Sequence, residues 1–168
     1  MQTFSSLGFI DLERLSTLKH WCLEQAELMP LSPSTYVVGV RHQKWFEKGW
    51  TLGKKTKIFD APSDRSIFQI GQKLFPSNDS CLFLHYRRGA YIKSHRDHTV
   101  SQNKVVQINL GCTVIFRVNN TDYTVRDGEI ICFDSKLPHS VSPASSDRFV
   151  LSWRKIKPQY LSTQLSLF

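Results

Sequence analysis

Three side chains of metal-binding type stand out by their order: His95 and Asp97 flank a single Arg96, and His139 follows well downstream, directly after Lys136-Leu137-Pro138. Side chains two apart on a strand point to one face, so an imidazole and a carboxylate at positions 95 and 97 can approach a common ion. An HxD triplet is unspecific by itself, and its plainer reading is a surface histidine beside an aspartate. The second imidazole changes the weighting, because two histidines and one carboxylate form the facial donor set of non-haem iron(II), with three positions left for reacting ligands. His98 has the opposite strand parity and reads as a loop or surface residue. His20, His42 and His85 read as structural or solvent-facing.

A second constellation lies at Arg148-Phe149-Val150-Leu151-Ser152-Trp153-Arg154, which alternates strictly. Phe149, Leu151 and Trp153 make a core-like face, and Arg148, Val150, Ser152 and Arg154 share the other. Two guanidiniums turned into a barrel interior are costly without an anion, and a dicarboxylate would supply one. By itself the segment reads more readily as an edge strand with a wet cationic face than as a ligand site. It begins shortly after His139, however, so it can run beside the strand that carries the last metal ligand. Tyr86, on a face with Leu82 and Leu84, can add a phenol hydrogen bond to the carboxylate, whose planar geometry matches the arginine fork.

These residues need a frame, and the sequence predicts one that is mainly β with flanking helices. Leu12, Leu15, Leu18, Cys22 and Ala26 recur at helical spacing over about 12–29 behind Asp11 as N-cap, with Ile10 and Leu15 as a hydrophobic staple. Pro30 and Pro33 end that helix, and a second is expected from Asp64 to Leu74. Between them, Tyr36 to Lys57 interleaves Trp45, Phe46 and Trp50 with lysines and reads as an exposed lid or hairpin. From Cys81 onward short β-rich runs follow: 81–86, 90–94, 104–110, 113–118, 123–125, 129–133, 139–142 and 149–155. Asn119-Asn120 and Asp127-Gly128 mark turns between them. So many short strands imply a sandwich or barrel with helices on one outer face. The expected organisation is one domain over 1–168, with a helical and lid region at 1–80 and the β core at 81–157; the serine-rich tail after Pro158 is expected to be peripheral.

Composition narrows the classes. Hydrophobic residues at 40% and charged residues at 21% exclude disorder. No stretch approaches the length and apolarity of a membrane span, and no leader pattern opens the chain, so an intracellular protein, cytoplasmic or nuclear, is expected. With no repeat or apolar stripe, a monomer is expected. Four cysteines without a CxxC pair read as reduced, mostly buried thiols. The net charge of +8 implies an anionic partner, with nucleic acid, an acidic protein surface or a small polycarboxylate all open.

The order of these motifs resembles the AlkB family of Fe(II)/2-oxoglutarate dioxygenases, whose pattern is HxD, a distant His, then RxNxTxR. The match runs from Tyr86-Arg87-Arg88-Gly89-Ala90 through His95-Arg96-Asp97, Val106-Gln107-Ile108-Asn109-Leu110-Gly111, Phe116, Gly128-Glu129-Ile130-Ile131 and His139 to Arg148–Arg154. The resemblance implies a double-stranded β-helix (jelly-roll), with His95, Asp97 and His139 as catalytic iron ligands. It also implies 2-oxoglutarate held by Tyr86, Arg148, Ser152 and Arg154, with Arg148 at the distal carboxylate and Arg154 nearer the metal, and O2 as co-substrate. Val150 stands where the pattern has Asn, Leu84 where a polar residue often helps hold the co-substrate, and Thr99 where nucleic-acid demethylases commonly carry an acid. The function implied is C–H oxidation, with a DNA or RNA base as the first candidate substrate and Trp45, Trp50 and Thr99 as candidate contacts. Hydroxylation of a protein side chain or metabolite is the alternative, and a silent basic jelly-roll that only binds nucleic acid is a third reading.

Overall fold

The protein, seen as a computed structural model that describes residues 3–162, opens with strand β1 (Phe4–Phe9) and helix α1 (Leu12–Ala26). The helix starts where expected because the Asp11 carboxylate accepts from the Arg14 N–H at 2.9 Å. It ends at Ala26, short of Met29, which is nevertheless buried. Then come β2 (Val37–Val38), β3 (Arg41–Phe46), β4 (Lys48–Thr51), β5 (Lys57–Asp60) and helix α2 (Arg65–Leu74). Asp64 caps α2, accepting from Ser66 N at 2.9 Å and Ile67 N at 3.0 Å, while its other oxygen accepts from Trp21 Nε1 at 3.1 Å and so ties the two helices together.

Eight strands and a short helix complete the chain: β6 (Ser80–Tyr86), β7 (Tyr91–His95), β8 (Ser101–Leu110), β9 (Val114–Val118), β10 (Thr121–Val125), β11 (Glu129–Asp134), β12 (His139–Val141), β13 (Arg148–Ile156) and α3 (Pro158–Ser162). One antiparallel sheet has the order β1-β11-β8-β13-β6-β3, a second has β10-β9-β12-β7-β2, and β4-β5 form a separate hairpin. The two larger sheets face each other as a double-stranded β-helix. Period-two alternation divides the core. Leu84, Val105, Phe116, Ile131, Phe133 and Val150 fill the space between the sheets. On the outer face of the six-stranded sheet, Phe83, Val106, Leu151 and Trp153 pack under Leu18 and Cys22 of α1 and Ile67 of α2. Both faces of β13 are therefore covered, which makes it a central strand, not an edge.

Two departures from the sequence reading bear on the site. The 36–57 segment is not one exposed flap: β3 is an integral strand of the larger sheet, paired with β6, and only β4-β5 stands apart as a hairpin. And β1, for which Ser5, Ser6 and Gly8 give little strand signal, closes the far edge by pairing with β11. The tail divides: Tyr160 and Leu161 of α3 pack against Val100 and Ile156, and residues 163–168 lie outside the described residues. All four cysteines are free, three of them buried, and burial pushes the Cys22 and Cys81 thiols up. Among the described residues, no helix is long and apolar enough to cross a membrane.

Candidate metal centre and anion pocket

Strand pairing brings the two imidazoles together. His95 ends β7 and His139 begins β12, and the two are direct partners in the ladder. Asp97 follows in the loop after β7, where its backbone N–H donates to Ser135 O at 2.9 Å. One ligand atom from each of His95, Asp97 and His139 lies within 4.8 Å of the others, a spacing that can hold a metal ion.

The tautomers follow from the neighbours. His95 Nδ1 lies 2.9 Å from Lys93 O and His139 Nδ1 lies 2.9 Å from Leu137 O. A carbonyl only accepts, so each ring carries its proton on Nδ1 and offers the Nε2 lone pair. Those Nε2 atoms lie 3.6 and 3.5 Å from the same oxygen, Asp97 Oδ1. The other oxygen, Oδ2, accepts from Arg154 through Nη2 at 2.9 Å and Nε at 3.3 Å. Arg154 thus divides the carboxylate into one oxygen facing the imidazoles and one held by a cation. Burial pushes the Asp97 carboxyl up, but the Arg154 guanidinium beside it outweighs this and holds it well below the usual carboxylate range. The donor set, with both lone pairs directed at one carboxylate oxygen and a cavity alongside, fits non-haem iron(II).

That cavity, about 730 Å³, lies between the sheets. Its floor is three strands in register, and the cross-strand rows explain its chemistry. Arg148 of β13 pairs with Tyr86 of β6, which pairs with Arg41 of β3; Val150, Leu84 and Gln43 form the next row, and Ser152, Leu82 and Trp45 the third. Arg148 is buried and donates through Nε to Asn109 Oδ1 at 2.6 Å. Asn109 is held in turn by Nδ2 bonds to Cys112 O at 2.8 Å and Arg126 O at 3.0 Å. Opposite, Phe116 and Val141 line the wall beside His139, and Tyr36 stacks over His95 with ring centroids 5.3 Å apart.

Each expected site residue can now be located. His95, Asp97, His139, Tyr86, Arg148, Arg154, Trp45 and Trp50 all line the one cavity. Ser152 acts behind it: its hydroxyl accepts from Arg154 Nη1 at 2.8 Å. Thr99 is not among the lining residues, and its hydroxyl lies 3.2 Å from that of Tyr160. His98, read as a loop residue, is exposed and reaches the cavity rim, while His85 is buried on the helix side against Asp147. Trp45 and Trp50 sit at the mouth with centroids 4.3 Å apart. The lysines interleaved with them mostly turn away: Lys44 donates to Gln25 and Lys48 pairs with Asp60. Arg41, Gln43, Tyr36 and Asn109 were missed as site residues. The first two carried no readable signal, since the two faces of the strand, Arg41-Gln43-Trp45 and His42-Lys44-Phe46, both mix polar and apolar side chains.

A double-stranded β-helix with two imidazoles and a carboxylate beside a cationic cavity is the frame of the iron(II)/2-oxoglutarate dioxygenases. The chain belongs to the Aspartyl/Asparaginyl beta-hydroxylase family, whose pattern matches residues 65–158, more than half of it. It is thus an oxidoreductase of the dioxygenase class, using Fe(II), 2-oxoglutarate and O2. Solved structures with the same fold include that of OsALKBH1 (TM-score 0.66, 15% identity, 92% of this chain and 99% of that one). A Pseudomonas putida prolyl-4-hydroxylase is similar at TM-score 0.61 and 18% identity, covering 94% of each chain. A Trichoplax adhaerens prolyl hydroxylase, solved with a hypoxia inducible factor peptide, is similar at TM-score 0.68 and 13% identity, covering 95% of this chain and 86% of that one. No curated protein matches the sequence. Family and fold support the oxygenase class at large and do not single out the AlkB branch that the motif order resembles.

Proposed function

We propose that the chain is a 2-oxoglutarate-dependent hydroxylase of an amino-acid side chain, with the metal held by His95, Asp97 and His139 and the co-substrate by Arg148, Tyr86 and Arg154. The observation that carries this is the placing of one cavity between the His-Asp-His cluster and two buried guanidiniums, Arg41 and Arg148, that have no carboxylate partner among the described residues. Bound iron with 2-oxoglutarate and O2 would supply hydroxylation of a C–H bond, yielding an alcohol, succinate and carbon dioxide. The chain's own residues do the rest. Lys93 O and Leu137 O fix the imidazole tautomers, Arg154 leaves one Asp97 oxygen for the metal, and Phe116, Val141 and Val150 line the cavity with apolar surface. A side chain as substrate is supported by the family's name and by the two prolyl hydroxylases of like fold.

A second reading, oxidation of a nucleic-acid base, draws on a specific feature: the Trp45–Trp50 pair at the mouth, with exposed Lys54, Lys55 and Lys57 on the neighbouring hairpin. One experiment separates the readings. The protein is incubated with Fe(II), 2-oxoglutarate and O2 against a peptide panel and against methylated oligonucleotides. Succinate is followed alongside the mass of each candidate, with His139→Ala as control. A peptide gaining one oxygen atom supports side-chain hydroxylation. Formaldehyde release with salt-sensitive oligonucleotide binding supports base oxidation. Oligonucleotide binding with no succinate from any mixture would leave the non-catalytic binding module.

A further inference from the structure

We infer that Arg41 is a second guanidinium of the subsite for the distal carboxylate of 2-oxoglutarate, and that it sets the Tyr86 hydroxyl as a donor to that carboxylate. The inference rests on the reading that this cavity holds the co-substrate. Arg41 lies outside the segment that the family pattern matches, on a strand that its sequence presents as part of a lid.

The geometry begins with the first cross-strand row. Tyr86 is flanked by Arg148 on β13 and Arg41 on β3, with guanidinium carbons 5.1 and 5.4 Å from its ring centre. Arg41 Nη1 donates to the Tyr86 hydroxyl oxygen at 3.0 Å and Nη2 donates to Ser32 Oγ at 2.6 Å. Ser32 passes its own hydrogen to Gln43 Oε1 at 2.8 Å, so its oxygen is committed as an acceptor toward Arg41. Arg41 Nε is buried and has no partner.

The charges do not balance within the protein. Four arginines line the cavity: Arg96 is exposed and donates to Lys136 O at 2.6 Å, Arg154 has the carboxylate of Asp97, and among the described residues no acid pairs with the buried Arg41 or Arg148. Burial pushes the Arg148 guanidinium down, and Arg41 acts in the same direction. Two buried like charges sharing one phenol call for an anion. A metal ion cannot answer that need, but the far carboxylate of a dicarboxylate whose near end reaches the metal can.

Hydrogen bookkeeping assigns the phenol its part. Because the Tyr86 oxygen accepts from Arg41, its single hydrogen is left to donate elsewhere, and a carboxylate in the cavity is an acceptor. The carboxylate would then be met by charged N–H groups from both sides and by one O–H between them.

The test uses the full chain, loaded anaerobically with Fe(II), and reads binding by calorimetry without turnover. Two probes are titrated: 2-oxoglutarate, and 2-oxopentanoate, which keeps the metal-chelating end but replaces the distal carboxylate with an uncharged methyl group. Arg41→Met should weaken 2-oxoglutarate roughly 10- to 100-fold, the range of a charge-assisted hydrogen bond, while changing 2-oxopentanoate by less than about 3-fold. Arg41→Lys should recover part of the loss by restoring charge without the fork. Equal loss for both probes would make Arg41 a structural clip between Ser32 and Tyr86 and overturn the inference, as would unchanged 2-oxoglutarate binding in Arg41→Met. Arg148→Met separates the two levels of argument. If it weakens 2-oxoglutarate while Arg41→Met does not, only the role of Arg41 falls. If the wild type binds neither probe, the co-substrate reading falls and takes this inference with it.

Discussion

Replacing Arg154 with Met removes the cation that holds Asp97 while keeping much of the apolar stem. The pair is nearly enclosed, with side-chain exposures of 9% for Arg154 and 15% for Asp97, and Arg154 makes two bonds to one oxygen. Removing one partner of a buried pair leaves an uncompensated charge and costs about 3–5 kcal/mol. The lower end applies here because both groups keep some contact with the cavity, so about 3 kcal/mol is expected. With a urea slope of about 2 kcal/mol per molar, the unfolding midpoint should fall by about 1.5 M. The measurement is equilibrium urea unfolding at pH 8 with a chelator present, so that no metal compensates Asp97. Asp97→Asn and the double variant complete a cycle. Once the carboxylate is neutral, losing Arg154 should matter much less, giving a coupling of at least about 1.5 kcal/mol. Additivity within about 0.5 kcal/mol would refute the claim that Arg154 serves Asp97, and would assign its contribution to Ser152 and to packing.

Three further outcomes are expected. A Cβ added at Gly71 would lie 2.6 Å from Trp153 Cδ1, so Gly71→Ala should lift α2 from the sheet and cost about 1–3 kcal/mol in thermal unfolding, whereas Gly53→Ala, with its nearest neighbour at 3.9 Å, should be neutral. Burial pushes the His85 imidazole down, and its bond to Asp147 opposes this without prevailing, so His85 favours the neutral form in the fold. Its contribution is present above the ordinary imidazole value of about 6.5 and is lost as pH falls from there through the lower folded value; His85→Gln should therefore flatten the decline of the urea midpoint on acidification from about 6.5 down to that lower value. Trp45→Ala should lower kcat/KM for the true substrate by about 10-fold or more, while the anaerobic affinity for 2-oxoglutarate stays unchanged; a change in co-substrate affinity instead would move Trp45 into the anion pocket.

Much of the site was legible along the chain because its signals are local. His95 and Asp97 are two residues apart, and the alternation through Arg148–Arg154 states which side chains share a face before any partner strand is known. The helix starts at Asp11 and Asp64 were likewise readable, since a cap is decided within three residues. Resemblance to one branch of the oxygenases led further than the motifs supported, because the iron and co-substrate signature belongs to the class and carries little about substrate.

What the tertiary structure alone decided is the company those residues keep. Arg41, Tyr86 and Arg148 form one row because β3, β6 and β13 pair in a particular register, and no local pattern encodes which strands become neighbours or how they align. For the same reason the 36–57 segment read as a lid. An edge strand with charge on both faces has no alternation of apolar and polar residues, so only its pairing with β6 shows that Arg41, Gln43 and Trp45 face inward. Thr99 and Ser152 moved out of direct contact with the cavity through bonds to Tyr160 and Arg154 that only three-dimensional contact supplies. Sequence by itself determined the chemistry available, because residue type and strand parity are local properties. The fold decided where that chemistry converges, because convergence depends on strand pairings between distant residues.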